Sequence, residues 1–259
     1  MTICIGMRAQ DGIVIAADAE ESDRYYKRAQ QKIFSFIQVN AGSNSDPSPF
    51  AYAFTGAGDA GYLDAFFYRI MNQIPKQERA GAAFEKLLAD EILEFHRRHL
   101  FPLAKTNDPP QIDVLVGAYS RLQTSIFLSH GSTVRSGGFN LAVGAGAHFA
   151  LGVMDSISGA RDVAHAELLA AYVVALTKES IEGCGKGTEI MTLHNPTIEG
   201  QEPSQLVPPQ HPLTRVPHTK IQKWEQSFAA RWAPRQSGTL MELAEEELAD
   251  DIKQSGAQK

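Results

Sequence analysis

Cysteine is nearly absent. Cys4 and Cys184 are the only two in 259 residues, they lie far apart, and they match neither a disulfide framework nor a paired metal-ligand spacing. A reducing, cytoplasmic setting fits that usage. Long apolar runs are missing too: none approaches the ~18 residues that would suggest a membrane span, and no basic region followed by an apolar stretch opens the chain. The expectation is that the first residues are those of the mature fold and that no membrane is a partner. Positive charge is in deficit, with 24 lysines and arginines against 30 aspartates and glutamates and a sequence pI near 5.8. Without a global basic field for phosphate backbones, nucleic acid is not expected as a partner either. Nothing in the chain repeats.

What is present is core-forming material. At 43% hydrophobic and 21% charged, the chain can bury a full core and need hold no more than one or two domains. The opening "MTICIGMRAQDGIVIAADAEE" predicts strands over Thr2–Arg8 and Ile13–Ala19, joined at Asp11-Gly12, a strong hairpin signal. Because "IVIAA" is apolar on both faces, its strand must be covered on both sides. Further strands are predicted at Lys32–Val39, Phe50–Gly56, "QIDVLVGAY", "QTSIFLSH" and "TEIMTLH". Apolar spacing predicts helices over Asp59–Gln73, Arg79–His99, Ala147–Ile157 and Asp162–Glu179.

Runs of like elements argue against simple βαβ alternation. They allow two antiparallel sheets face to face with helices on each outer side, a four-layer αββα sandwich of the α+β class. From Asn195 the character changes. "NPTIEGQEPSQLVPPQHPLTRVPH" is proline-rich and reads as an extended arm, "TKIQKWEQSFAARW" as a short amphipathic helix, and "LMELAEEELADDIKQ" as an acidic helix. The expected division is residues 1–194, an arm over 195–235, and an acidic tail over 236–259 that is mobile or partner-dependent.

Three short motifs invite chemical readings. "GAGDAG", Gly56–Gly61, spells G-x-G-x-x-G between a strand and a helix, the context of a dinucleotide fingerprint, yet the next element reads as a helix and not a parallel strand. "HRRH" places His96 and His99 on neighbouring helical turns without a third ligand, which reads as a solvated basic helix end. "GCGKG" lacks P-loop spacing and reads as a turn before the last strand.

Taken in order, "TICIGMRAQDGIVIAAD", "QKIF", "AFTGAGDAG", "IDVLVGAY", "VGAGAHFALGVMD" and "DVAHAELLAAYVVALTKES" resemble the core blocks of proteasome β subunits and of the bacterial HslV and Anbu-type ring peptidases. The match covers roughly residues 2–193. In these N-terminal nucleophile hydrolases the first residue of the mature chain is the catalyst. The resemblance therefore implies that removal of Met1 exposes Thr2 as nucleophile, its own α-amino group serving as base near neutral pH. It further implies Asp18 as the acidic partner, Lys32 as the lysine cation beside the hydroxyl, and Gly56 as the source of an oxyanion-hole N–H. Ser22 matches a substrate-groove position, and a turn serine is an equal alternative.

The chain also departs from the family pattern. Ala145 in "VGAGA" stands at a serine position, and in "ESIEG" Glu179 replaces an aspartate and Glu182 a serine, which puts the supporting network in question. The function implied is amide-bond hydrolysis through an acyl-enzyme on a peptide or unfolded protein. It needs no metal or organic cofactor and is set in a ring-shaped homo-oligomer that an ATP-driven unfoldase would serve. Two alternatives stay open: a structural subunit with a dismantled site, and a small-amide hydrolase on the same fold.

Overall fold

A computed structural model describes residues 2–22, 27–38, 50–73, 82–107, 109–120, 123–157, 159–195, 197–198, 206–207, 212–232 and 244–250. The opening hairpin forms as its sequence dictates: β1 (Ile3–Ala9) and β2 (Gly12–Asp18) pair antiparallel, Cys4 opposite Ala17, with every residue of β2 buried. A short ribbon follows, β3 (Glu20–Ser22) with β4 (Lys27–Ala29), then β5 (Phe34–Gln38) and β6 (Phe50–Gly58). Helices α1 (Ala60–Gln73) and α2 (Ala82–Phe95) precede β7 (Ile112–Ser120), β8 (Gln123–His130), β9 (Thr133–Ser136) and β10 (Asn140–Gly144). After α3 (Ala147–Asp155) and α4 (Val163–Ser180) come β11 (Thr188–His194) and a second ribbon, β12 (Thr197–Ile198) with β13 (Leu206–Val207). Then follow β14 (Leu213–Arg215), α5 (His218–Trp232) and α6 at residues 244–250.

The result is a mixed α+β fold with two five-stranded sheets, antiparallel throughout, in the orders β10-β1-β2-β11-β14 and β5-β6-β7-β8-β9. Apolar side chains gather in three clusters. One joins β1 and β2 to α3, α4 and α5; another joins β6, β7 and β8 to α1 and α2 through Phe54, Phe66, Phe84 and Phe95. The third draws on both sheets, with Ile13, Ile15, Met191 and Leu193 from one and Ala53, Leu115, Ile126 and Leu128 from the other. The sheets approach so closely there that a Cβ on Gly6 would fall 2.3 Å from Ile126 Cδ1, and one on Gly117 would fall 3.0 Å from Ile13 Cδ1. Any larger residue at these positions would force the facing isoleucine side chains to shift.

Helix α4 is buried on nearly all sides from Val163 to Ala175, which explains its alanine content and weak amphipathicity. Its start is fixed by Asp162, whose Oδ1 accepts the N–H of His165 at 2.8 Å. Among the described residues, no helix is long and apolar enough to cross a membrane.

Several local expectations need correction. Strand β10 was not anticipated, and it flanks β1 with Gly144 opposite Ile3. The second helix stops at Phe95 and continues as a π-helical turn, His96–Leu100. Within that turn Arg97, Arg98 and His99 are exposed as a basic helix end should be, whereas His96 is buried with its ring edge-on to Phe101 at 5.7 Å. The dinucleotide reading of "GAGDAG" falls because β6 pairs antiparallel with β7. Its glycines serve close packing: a Cβ on Gly58, at φ +121, would sit 1.9 Å from the Gln111 carbonyl oxygen. The end of the arm and the described part of the tail pack against the body of the fold. Ile221, Trp224 and Phe228 of α5, spaced to share one helix face, are buried in the α4 cluster, and Ala244 of α6 is fully buried there.

Candidate active site

The carboxylate of Asp18 is fully buried at the end of β2, and a buried charge must be compensated. Four donors meet it. Oδ1 accepts from Thr2 Oγ1 at 2.5 Å, from the Ile3 N–H at 3.0 Å and from Lys32 Nζ at 2.9 Å, while Oδ2 accepts the Gly185 N–H at 2.9 Å. Each oxygen is used, and one donor carries a full positive charge.

Lys32 comes from the segment leading into β5, opposite the β2 end, and is only 12% exposed. Its ammonium donates to Thr2 Oγ1, to Asp18 Oδ1 and to the Glu20 carbonyl oxygen, so three donors meet three acceptors. Thr2 lies immediately before β1 and is itself buried, at 9% exposure. Its hydroxyl thus donates to a carboxylate and accepts from an ammonium. Such an arrangement fixes the oxygen's direction; the ammonium favours negative charge on it, while the carboxylate that takes the hydroxyl's hydrogen bond opposes it.

A cavity of about 740 Å³ opens beside the hydroxyl, lined by Thr2, Lys32, Gly56, Gly144 and Ala145 and by the apolar side chains of Phe34, Leu63 and Phe67. Gly144 belongs to the sheet that holds β1 and β2, Thr2 leads into β1, and Gly56 belongs to the other sheet, so the cavity spans the two. The two cysteines do not compete for the chemistry. Burial pushes the Cys4 thiol up to about 12 even though the Thr55 hydroxyl lowers it, and burial pushes Cys184 up to about 11. Neither is a thiolate near neutrality.

The structure therefore gathers Thr2, Asp18 and Lys32 into one hydrogen-bonded group, with Gly56 on the same cavity. Ala145 is exposed on the cavity wall and offers no hydroxyl. Glu179 and Glu182 are exposed at the end of α4 and in the turn after it, and neither lines the cavity. Ser22 ends β3, and its side chain lies outside the described residues. No group of three or more His, Cys, Asp or Glu among the described residues is placed to hold a metal ion.

Other contributors escaped the sequence reading. Gly185, in the "GCGKG" turn, gives its N–H to Asp18, and a Cβ there would fall 2.4 Å from Glu20 Oε2. Glu189 of β11 accepts from the backbone N–H of Lys32 at 3.2 Å and of Ile33 at 3.1 Å, anchoring the lysine's segment. The one signal for Glu189 was its being the single acidic residue of the strand "TEIMTLH".

Neither a family model nor a curated protein sequence matches the chain. Solved structures do. The chain is similar to the Anbu complex of Pseudomonas aeruginosa, described as a helical assembly, with a TM-score of 0.61 at 16% identity over 91% of this chain and 98% of that one. It is similar to Anbu, the ancestral beta-subunit, from Yersinia bercovieri, with a TM-score of 0.65 at 11% identity over 91% and 98%. It also matches the Anbu (Gly-1) mutant from Hyphomicrobium sp. strain MC1, with a TM-score of 0.61 at 10% identity over 90% and 97%. At these identities the likeness is one of fold, and it falls on one of the proteasome-like groups that the sequence blocks resemble.

Proposed function

We propose that the chain is a proteasome-like N-terminal threonine hydrolase, built as a four-layer αββα sandwich over residues 1–194 with an arm at 195–235 and an acidic tail at 236–259. The observation that carries this reading is the Thr2 hydroxyl held between Asp18 and Lys32, with Thr2 lining a cavity. Once Met1 is removed, the α-amino group of Thr2, with a reference pKa of about 7.7–8.0, takes the hydroxyl proton as Oγ1 attacks an amide carbonyl carbon. The Lys32 ammonium and the Gly56 N–H offset the developing negative charge. Collapse passes the proton from the α-amine to the departing amine and leaves an ester on Thr2. A water molecule, deprotonated by the same α-amine, then hydrolyses the ester and restores the hydroxyl. Asp18 holds both the hydroxyl and the lysine in register.

The cavity's mixed lining suits a peptide or unfolded-protein segment. By analogy with the Pseudomonas neighbour's helical assembly, the chain is proposed to work as a homo-oligomer, ring-shaped as the sequence resemblance implies, in the cytoplasm and with an ATP-driven unfoldase as the partner class. A second reading, a structural subunit, draws on Ala145, whose position on the cavity wall lacks a hydroxyl. The retained Thr2–Asp18–Lys32 group favours the enzyme over it. A small-amide hydrolase uses the same site, and panels of peptide and small-amide substrates separate the two.

The deciding experiment is the intact mass of the native chain before and after an electrophile selective for N-terminal threonine. Loss of Met1 and a single adduct are expected, with no adduct on Thr2→Ala and labelling at least about 100-fold slower on Lys32→Ala. A retained Met1, or a free Thr2 that never reacts, moves the conclusion to the structural subunit.

A further inference from the structure

We infer that the C-terminal segment is a positioning element for the site, with Arg215 and Glu225 as its two braces. The inference rests on the proposed roles of Lys32 and Asp18. Arg215, on β14, pairs through Nη1 with Glu189 Oε1 at 3.6 Å and donates from Nη2 to the Ile33 carbonyl at 3.1 Å. Glu189 in turn accepts the backbone N–H groups of Lys32 and Ile33. The guanidinium and the carboxylate thus grip both sides of the peptide segment that carries the lysine, and the ammonium reaches Thr2 Oγ1 from that fixed base.

The second brace holds the other partner of Thr2. Glu225, on α5, accepts from Lys178 Nζ and from Thr188 Oγ1, each at 2.5 Å, and Lys178 also donates to the Lys186 carbonyl at 3.1 Å. Thr188 is the β11 residue opposite Asp18, and Lys186 follows the Gly185 whose N–H that carboxylate accepts. Both braces come from sequence beyond residue 195, where the composition alone suggested an arm. The short strand β14 places the first of them by adding to β11, with Arg215 opposite Met191.

The test uses the full chain and two readouts. The first is the Lys32 ¹³Cε resonance in lysine-labelled protein, assigned with Lys32→Arg, which requires no turnover. The second is the electrophile labelling of Thr2, split into its maximal rate and its half-saturating concentration. Arg215→Ala is expected to move the Lys32 resonance toward that of free lysine and to lower the maximal labelling rate about 10- to 100-fold, with half-saturation within about twofold. Arg215→Lys keeps a charge for Glu189 but lacks the fork, and recovers part of both. Arg231→Ala, which removes ion pairs to Glu246, Glu247 and Asp250 away from the site, is expected to change neither.

An unmoved Lys32 resonance in Arg215→Ala overturns the inference, as does an equal displacement in Arg231→Ala, which would signal general loosening. Should Arg215→Ala fail to fold, Arg215→Lys reads the same two quantities, and an unmoved resonance there overturns it likewise. If the native chain never labels while Arg215→Ala still moves the resonance, the threonine-hydrolase reading falls and the positioning stands.

Discussion

Three side chains account for most of the candidate chemistry, and each satisfies a need of the others. Asp18 needs compensation in a fully buried site, Lys32 supplies it, and the Thr2 hydroxyl lies between them. The nearby thiols test how dry this region is. Cys4 and Cys184, raised by burial to about 12 and about 11 from an ordinary value of 9.0, are expected to stay unmodified by a disulfide reagent at pH 8 until the chain unfolds. Raised folded values mean that the unfolded chain loses these protons first. The stabilisation they give is present below about pH 9 and is lost as pH climbs through about 11 to 12. Base titration of the unfolding midpoint checks the sign; stability rising over that interval would contradict the burial argument.

Among the elements, α4 and α5 show how packing overrides local composition. The mean hydropathy of α5 is low, yet Trp224 is 1% exposed and Phe228 lies 5.1 Å from the Tyr172 ring of α4. Trp224→Ala is expected to destabilise the chain by about 3–5 kcal/mol in denaturant titration, the range for deleting a large buried aromatic. A loss below about 1 kcal/mol would mean that α5 is only loosely docked. Such docking was hard to read from sequence, because three apolar residues on a polar helix name a buried face without naming what covers it. Thr2, Asp18 and Lys32 were legible only because the contiguous blocks that hold them resemble, in order, those of the proteasome-like family. Gly185 and Glu189 were not, because their bonds to Asp18 and Lys32 span 167 and 157 positions and depend on β11 lying beside β2. Glu179 and Glu182, chosen by family position, are exposed at the end of α4 and in the turn after it, and neither lines the cavity.

At the scale of the whole molecule, the candidate site belongs to neither sheet alone. Asp18 comes from one sheet, into which Thr2 leads, Gly56 from the other, and Lys32 from the segment entering the second, so the separation between sheets sets the geometry of the cavity. Gly6 is where that separation can be changed most directly, since even a first side-chain carbon would lie 2.3 Å from Ile126 Cδ1 on the facing sheet. Gly6→Val is expected to cost about 1–3 kcal/mol by overpacking. It is also expected to slow Thr2 labelling by more than Trp224→Ala does, although Trp224→Ala loses more stability. Measuring both variants for unfolding midpoint and labelling rate separates spacing from stability. If labelling instead tracks stability alone across the two, the sheets serve the site only as a scaffold and their separation is not what aligns Thr2 with the cavity.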